Sequence, residues 1–261
     1  MRGFILAAGL GTRLRPLTNT LPKPLVPVAG VPLLERALRQ FAAAGVTEVA
    51  VNAYHLADQI VAFVGDGQRF GLHAKVFVEA PEVLGTGGGL RNAAAFLQAG
   101  GSAFLLANGD VWHNYDLAAL QRAHLPTALG TLAMAEEPRR PALHTVSCAG
   151  SHHTGASGRI TRIGRTHAGP DGDFAAIYSG VAVLASNLLD RLPAGESSVV
   201  EHGFWPAMAE GAELRWWLPG GHWYDCGTHA EVLRSSAHAL RERAETLRAS
   251  AHALRERWSG E

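Results

Sequence analysis

The sequence predicts an α/β fold: a mostly parallel sheet covered by helices on both faces, with a long helix at the C-terminus. Three observations carry this expectation. Short apolar runs alternate four times with helix-period segments across short connections. The first run, Phe4 to Ala8, is apolar without alternation, as in a strand buried on both faces. From Thr228 onward a single helical period persists through the rest of the chain.

The elements are expected in the following order. After the first strand, a helix begins at Pro32, with Leu34, Leu38 and Phe41 on one face and Gly45 as its stop. Glu48 to Asn52 reads as a strand, Leu56 to Val64 as a helix, and Lys75 to Val78 as the third strand. A glycine-rich turn, a helix over Leu90 to Leu97 and a strand over Ala103 to Ala107 complete this half. The second half is less regular. Leu129 to Met134 reads as a strand and Glu136 to Gly158 as a loop, with further strands at Arg159 to Ile163, Tyr178 to Leu184 and Glu213 to Leu218. No long polar linker interrupts the pattern, so residues 1–230 are expected to form one domain and 231–261 a heptad-patterned helix.

Composition narrows the functional classes. Of 261 residues, 47% are hydrophobic and 18% charged, the balance of a globular protein with a full core. A formal net charge of zero argues against a nucleic-acid surface. Cys148 and Cys226 alone make no disulfide framework, which suits a reducing compartment. The apolar start ends at Gly9, too early for a signal peptide or a membrane span. A cytoplasmic protein without membrane partners is expected. Thirteen histidines raise the question of zinc, but His144, His152, His153, His167, His202, His222 and His229 lack the spacing of a helical metal site. His222, close to Asp225, is the one placed to line a site.

Two motifs fall at the carboxyl ends of strands, the edge where open parallel sheets bind ligands. The first is Leu6-Ala-Ala-Gly9-Leu10-Gly11-Thr12-Arg13-Leu14-Arg15-Pro16-Leu17-Thr18, followed by Pro22-Lys23-Pro24-Leu25. Glycines let backbone N–H groups approach a phosphate, Arg13 can take phosphate oxygens bidentately, and Lys23 adds a point charge. Lysine is otherwise rare, Lys75 being the second of two, so its place inside this loop stands out. The second motif is Asn108-Gly109-Asp110 at the end of the fourth strand. An aspartate there can serve as a turn residue or as a ligand for Mg²⁺, and the metal reading is preferred.

These residues resemble the signature of the sugar-1-phosphate nucleotidyltransferases. The similarity continues through Leu84-Gly85-Thr86-Gly87-Gly88-Gly89, Tyr178-Ser179-Gly180 and Gly221 to Thr228, and spans roughly residues 3 to 230. The resemblance implies a Rossmann-like nucleotide-diphospho-sugar transferase fold and an enzyme that joins a nucleoside triphosphate to a sugar 1-phosphate, releasing pyrophosphate. It further implies that Leu6, Ala7, Ala8, Gly9, Gly11, Thr12, Arg13 and Lys23 bind the nucleotide, the backbone of Ala8, Gly9, Gly11 and Thr12 cradling the triphosphate with Arg13 and Lys23 on its phosphates. Glu82, Gly85, Thr86 and Gly87 would read its base and ribose. Asn108, Tyr178, Ser179 and Gly180 would take the sugar, and Asp110 with Asp225 would bind Mg²⁺. Arg13, Lys23, Asp110 and Asp225 are thus the expected catalytic set. The attacking phosphate is already ionised at neutral pH, so no general base is expected.

For the substrate pair, Asn108 to Trp112, Gly221 to Asp225 and the Thr86-Gly-Gly-Gly89 run look most like N-acetylmuramate-1-phosphate uridylyltransferases, which use UTP. Leu84-Gly85-Thr86 is shared with mannose-1-phosphate and heptose-1-phosphate guanylyltransferases, which keeps GTP open. Ile163-Gly164-Arg165-Thr166 stands where thymidylyltransferases carry Glu-Lys-Pro, and no hexapeptide repeat follows. A non-catalytic sugar-nucleotide-binding relative is opposed by the joint presence of the four catalytic residues.

The tail lies beyond the resemblance. Thr228 and Glu231 are spaced as a capping box. Leu233, Leu240, Leu247 and Leu254 recur every seven residues, each three after Ala230, Ala237, Ala244 or Ala251. This narrow seam suits a helix folded back on its own domain or one paired with a second copy. The reading adopted is self-association of the segment beyond about Ser235 into a homodimer or larger closed oligomer.

Overall fold

A computed structural model describes residues 1–136, 145–164 and 172–259 of the chain, the last eight as backbone. β1 (Arg2–Leu6) leads through three 3-10 turns into a small hairpin of β2 (Pro27–Val28) and β3 (Val31–Pro32). Then come α1 (Leu33–Ala43), β4 (Glu48–Ala53), α2 (Ala57–Val64), β5 (His73–Val78), α3 (Gly85–Asn92), α4 (Ala94–Gln98) and β6 (Ala103–Asn108). β7 (Val111–His113), α5 (Leu117–Ala123), β8 (Gly130–Ala135), β9 (Thr145–Cys148), β10 (Ser157–Ile163) and β11 (Phe174–Ala185) form the next stretch. It ends with α6 (Leu188–Arg191), a π-helical turn (Val199–Phe204), α7 (Trp205–Ala209), β12 (Leu214–Trp217), β13 (Trp223–Asp225) and α8 (His229–Ser259).

Among the described residues the main sheet has nine strands in the order β5-β4-β1-β6-β11-β8-β12-β10-β9. β5, β4, β1 and β6 are parallel, each joined to the next in sequence by helical crossovers. β11 then runs antiparallel to both β6 and β8, so the sheet as a whole is mixed. Apolar clusters fill both faces. Phe4, Leu90 and Phe104 belong to one, Ile5, Leu38 and Phe41 to the other. Neighbouring residues of β1 therefore point into different cores, which is why that strand reads as one apolar run.

Three local expectations are corrected. The glycine-rich turn before Leu90 is itself helical: α3 starts at Gly85, and the expected single helix breaks at Ala93. The glycines are there for space, since a Cβ on Gly88 would lie 2.0 Å from the Gly195 carbonyl oxygen and one on Gly87 2.6 Å from Ser197 Oγ. The expected loop from Glu136 to Gly158 contains β9 and the start of β10, which pair antiparallel with each other. Thr145 to Cys148 is short and half polar, so the partner strand rather than its own pattern makes it β. The part of that loop at 137–144, with His144, lies outside the described residues, as do Arg165, Thr166 and His167.

α8 begins as expected, with Thr228 Oγ1 accepting the Glu231 N–H at 3.3 Å. Its first turns pack on the body of the protein. Ser235 and Ala239 are buried, and Ala239 joins Val28, Leu33, Trp112 and Cys226 in a third apolar cluster. The 230/231 boundary thus falls at the start of the packed part of the helix.

His113 closes β7 in a fully enclosed position. Its Nδ1 accepts from the Tyr115 N–H at 3.3 Å and faces Gln40 Nε2 at 3.3 Å. Burial, with the Arg36 charge as a lesser cause, lowers its pKa to about 3. The folded protein therefore keeps this imidazole neutral while the unfolded chain protonates near pH 6.5. Its contribution to stability is complete above pH 6.5 and is lost as pH falls toward 3. Urea titrations across this window should show His113→Gln losing stability less steeply than wild type, by up to about 1.4 kcal/mol per pH unit. Equal slopes for the two proteins would contradict this.

Candidate active site

The parallel strands end on one edge, and a cleft opens there between the loop after β1 and the start of α3. Leu6, Ala7, Ala8, Gly9, Lys23, Pro24, Asn52, Val83, Gly85, Thr86, Asn108 and Asp110 line it. Gly9 has open space where a Cβ would stand, so its backbone faces the cleft unshielded. Gly11 adopts φ +63°, and a side chain there would meet Thr18 at 2.9 Å and Lys23 at 3.0 Å. That left-handed turn, held by the Thr18 hydroxyl donating to the Gly11 carbonyl at 2.7 Å, folds the loop back toward Lys23.

Lys23 is the electrostatic centre. Its side chain is only 7% exposed, and Nζ lies 2.5 Å from Asp110 Oδ2 and 3.9 Å from Asp225 Oδ1. Arg13 reaches the same group from outside, with Nη2 3.8 Å from Asp225 Oδ2. Gly227 leaves room for that guanidinium, because a Cβ on it would lie 2.5 Å from Arg13 Nη2. Asp225 arrives through β13, which pairs antiparallel with β7 and sets Asp225 opposite Val111. The Cys226 N–H donates to the Asp110 carbonyl at 3.2 Å, so the two acidic segments are tied directly.

A second framework, of buried hydrogen bonds, joins the two halves of the cleft. Asn52 Oδ1 accepts the Ala7 N–H at 2.6 Å, and its Nδ2 donates to Glu79 Oε1 at 2.7 Å. Glu79 Oε2 accepts the Leu84 N–H at 2.7 Å. Both side chains are buried. The chain Ala7–Asn52–Glu79–Leu84 thus fixes the loop after β1 relative to the start of α3. Sequence reasoning missed both residues, although Asn52 was legible as a polar residue at the carboxyl end of a parallel strand.

The other expected site residues are distributed unevenly. Thr12 is exposed on the loop, next to Arg13. Glu82 is exposed too, and Val83 lines the cleft in its stead. Gly87 is buried against Ser197 outside the cleft lining, and Thr86 Oγ1 accepts the Val199 N–H at 2.9 Å. Gly180, at φ +80°, lies where β11 shifts register against β8, and a Cβ on it would strike Asn108 at 2.4 Å. Ser179 Oγ donates to the Ala133 carbonyl at 2.7 Å, and its own carbonyl accepts Trp223 Nε1–H at 2.8 Å. Tyr178 packs edge-on to Phe204, and among the described residues its buried hydroxyl has no partner. Burial raises the pKa of that phenol. His222 turns from the cleft toward α8, its ring 4.0 Å from that of His238.

The family profile described as "Nucleotidyl transferase" matches residues 2–163. The chain is 33% identical to mannose-1-phosphate guanylyltransferase of Mycobacterium tuberculosis, over 91% of this chain and 64% of that protein. It therefore spans less than two thirds of that relative's length. It is 32% identical to N-acetylmuramate alpha-1-phosphate uridylyltransferase of Neisseria meningitidis, over 75% of this chain and 80% of that protein. Its fold superposes on UDP-glucose pyrophosphorylase from Acinetobacter baumanii with a TM-score of 0.72 at 19% identity, covering 91% of this chain and 93% of that one.

The Asn52 bridge makes a prediction about stability. Asn52→Ala leaves the Ala7 N–H and Glu79 Oε1 buried without partners, a loss of about 2–4 kcal/mol. Chemical denaturation at pH 7 measures it, and a loss under about 0.5 kcal/mol would mean that water or a neighbour takes over both bonds.

Proposed function

Because the chain belongs to the nucleotidyl transferase family, we propose that it transfers a nucleoside monophosphate from a nucleoside triphosphate to a sugar 1-phosphate and releases pyrophosphate. The observation that carries this reading is the buried Lys23 ammonium between Asp110 and Asp225, at the edge of a cleft walled by the open backbone of Ala8 and Gly9. In the reaction a phosphate oxygen of the sugar 1-phosphate attacks the α-phosphorus in line. The new P–O bond forms as the bond to the β-phosphate bridging oxygen breaks, and pyrophosphate leaves with the electron pair. The attacking oxygen is already ionised, so no proton moves. Both reactants are anions, and the protein must hold them together against their repulsion.

The residues divide that task. The backbone of Ala8, Gly9, Gly11 and Thr12 receives the triphosphate, with Arg13 and Lys23 supplying positive charge, and Leu6 and Ala7 form the nucleotide cleft wall beside it. Gly85 and Thr86 border the base and ribose, with Glu82 and Gly87 beside them. Asn108, which lines the cleft, and the Tyr178-Ser179-Gly180 bulge packed against it are assigned to the sugar. Asp110 and Asp225 suit Mg²⁺, since two hard carboxylates that converge on one cation leave further positions for phosphate oxygens and water. Among the described residues no group of three or more His, Cys, Asp or Glu is arranged to hold a metal. A cation here would therefore rely on substrate oxygens. When bound, Mg²⁺ would neutralise charge on the triphosphate. No helix among the described residues is long and apolar enough to cross a membrane.

For the substrates we read UTP and N-acetylmuramate 1-phosphate, supported by the identity to the Neisseria relative, 80% of whose length is matched. GTP with mannose 1-phosphate is the second reading, favoured by the longer alignment with the Mycobacterium relative. Pyrophosphate release measured with a panel of sugar 1-phosphates crossed with UTP and GTP separates them. Turnover with no pair would leave a sugar-nucleotide-binding protein instead of an enzyme.

Two substitutions test the assigned roles. Asp110→Ala should lower kcat at least about 100-fold with the fold intact, and near wild-type rates at saturating Mg²⁺ would overturn the metal assignment. Lys23→Ala should lower kcat more than it raises KM, because its charge is needed most in the transition state. A rise in KM alone would make Lys23 a uniform binding contact.

A further inference from the structure

Two backbone donors on opposite halves of the cleft are joined through just two side chains. The Ala7 N–H, at the root of the loop after β1, donates to Asn52 Oδ1 at 2.6 Å. The Leu84 N–H, directly before α3, donates to Glu79 Oε2 at 2.7 Å. Asn52 Nδ2 donates to Glu79 Oε1 at 2.7 Å and closes the chain. Asn52 is 1% and Glu79 3% exposed, so bulk water would not replace a lost partner. α3 covers the contact closely. A Cβ on Gly89 would come 2.7 Å from Asn52 Nδ2 and 2.9 Å from Glu79 Oε1.

Chemistry fixes the direction of every bond in this chain. Both of its ends are N–H groups, so the atoms facing Ala7 and Leu84 must both be acceptors. An amide side chain offers one acceptor and one donor, and so passes the direction on. A chain that starts and ends in donors then needs one member with two acceptors and no donor, a need that a carboxylate meets. Asn52 is the amide and Glu79 the carboxylate. The negative charge also stands at the start of α3, where free N–H groups favour it. Two amides in these places would leave one N–H against another, whichever way they turned.

We infer that Asn52 and Glu79 are positioning residues for the nucleotide, holding the phosphate side and the base side of the cleft at the separation one nucleoside triphosphate spans. The inference rests on the reading of this cleft as the nucleotide site. Ala7 leads into the Ala8 and Gly9 backbone assigned to the triphosphate, and Leu84 leads into Gly85 and Thr86, assigned to base and ribose. A nucleoside triphosphate engages both sides at once, so a cleft already set to its length binds it at lower cost. Asn52 borders the cleft and Glu79 lies behind it. Glu79 therefore acts through Asn52 and the Leu84 backbone.

Equilibrium binding of UTP and of GTP, each with Mg²⁺, to the full chain tests this. Binding of neither by the wild-type protein defeats the reading of the cleft, and the inference with it. For the nucleotide that binds, Glu79→Gln should raise Kd at least about tenfold, because it sets an N–H against an N–H in a buried place. Adding Asn52→Asp to Glu79→Gln exchanges the two roles without changing side-chain length. The carboxylate then accepts from the Ala7 N–H and from the new amide, whose oxygen accepts from the Leu84 N–H. Every group is satisfied again, so the double variant should bind within about threefold of wild type. Where the wild type binds, a Glu79→Gln protein with unchanged Kd overturns the inference. So does a double variant that binds no better than Glu79→Gln, or one that fails to fold. Urea denaturation of the same proteins exposes a merely structural pair, for which stability is lost and regained while Kd stays constant.

Discussion

A lysine ammonium taken out of water must find negative charge close by, because its desolvation otherwise costs far more than one side chain can recover. Lys23 satisfies this with Asp110 and Asp225, and most of the local architecture follows from holding those three together. Gly11 turns the loop so that Lys23 can point inward. The Asn108-Gly109-Asp110 turn must end β6 at the correct height, and Gly109 does so by donating its N–H to the Leu6 carbonyl at 2.8 Å. β13 must lie beside β7 to deliver Asp225. Such a cluster is costly to break by removing one member, yet its charges are the kind a polyanionic substrate would engage.

Around this charged centre, rigidity comes from a chain of buried hydrogen bonds. The Asn52–Glu79 bridge ties the loop after β1 to the start of α3, and each polar atom named in it has a partner. Buried networks with every member satisfied specify one arrangement. The glycines of α3 serve the same end, letting the helix approach Gly195 and Ser197 at distances no Cβ would permit. The edge of the cleft is thus set by close backbone packing, which leaves long side chains free to meet ligands.

α8 sorts its side chains between a packed side and an exposed one. Small and polar residues, Ser235, Ser236 and Ala239, let it lie close to the β2 and β13 region behind Asp225. Cys226, the residue after Asp225, is buried beside Ser235, with the sulfur 3.5 Å from Ser235 Oγ, and burial raises its pKa to about 11. The leucines, too large for that close approach, occupy the outer stripe. The sorting follows volume as well as polarity, and a heptad count that tracks only the leucines sees the outer stripe alone.

By itself the sequence determined most elements of the first half, the parallel half of the sheet and the edge that carries the cleft, and it singled out Arg13, Lys23 and Asp110 there. These are local properties: periodicity encodes which residues face a core, and a glycine loop at a strand end shows where backbone is left open. Asp225 was legible as part of a motif. Its place beside Lys23 came only from the β7–β13 pairing, which joins segments far apart in the chain. Asn52 and Glu79 looked like ordinary polar residues until the fold brought Ala7 and Leu84 within reach of them. The antiparallel strands around β9 and the helical start of the glycine run were likewise decided by neighbours. The reason is common to all four: their conformation and partners depend on long-range packing, which a window of adjacent residues does not contain.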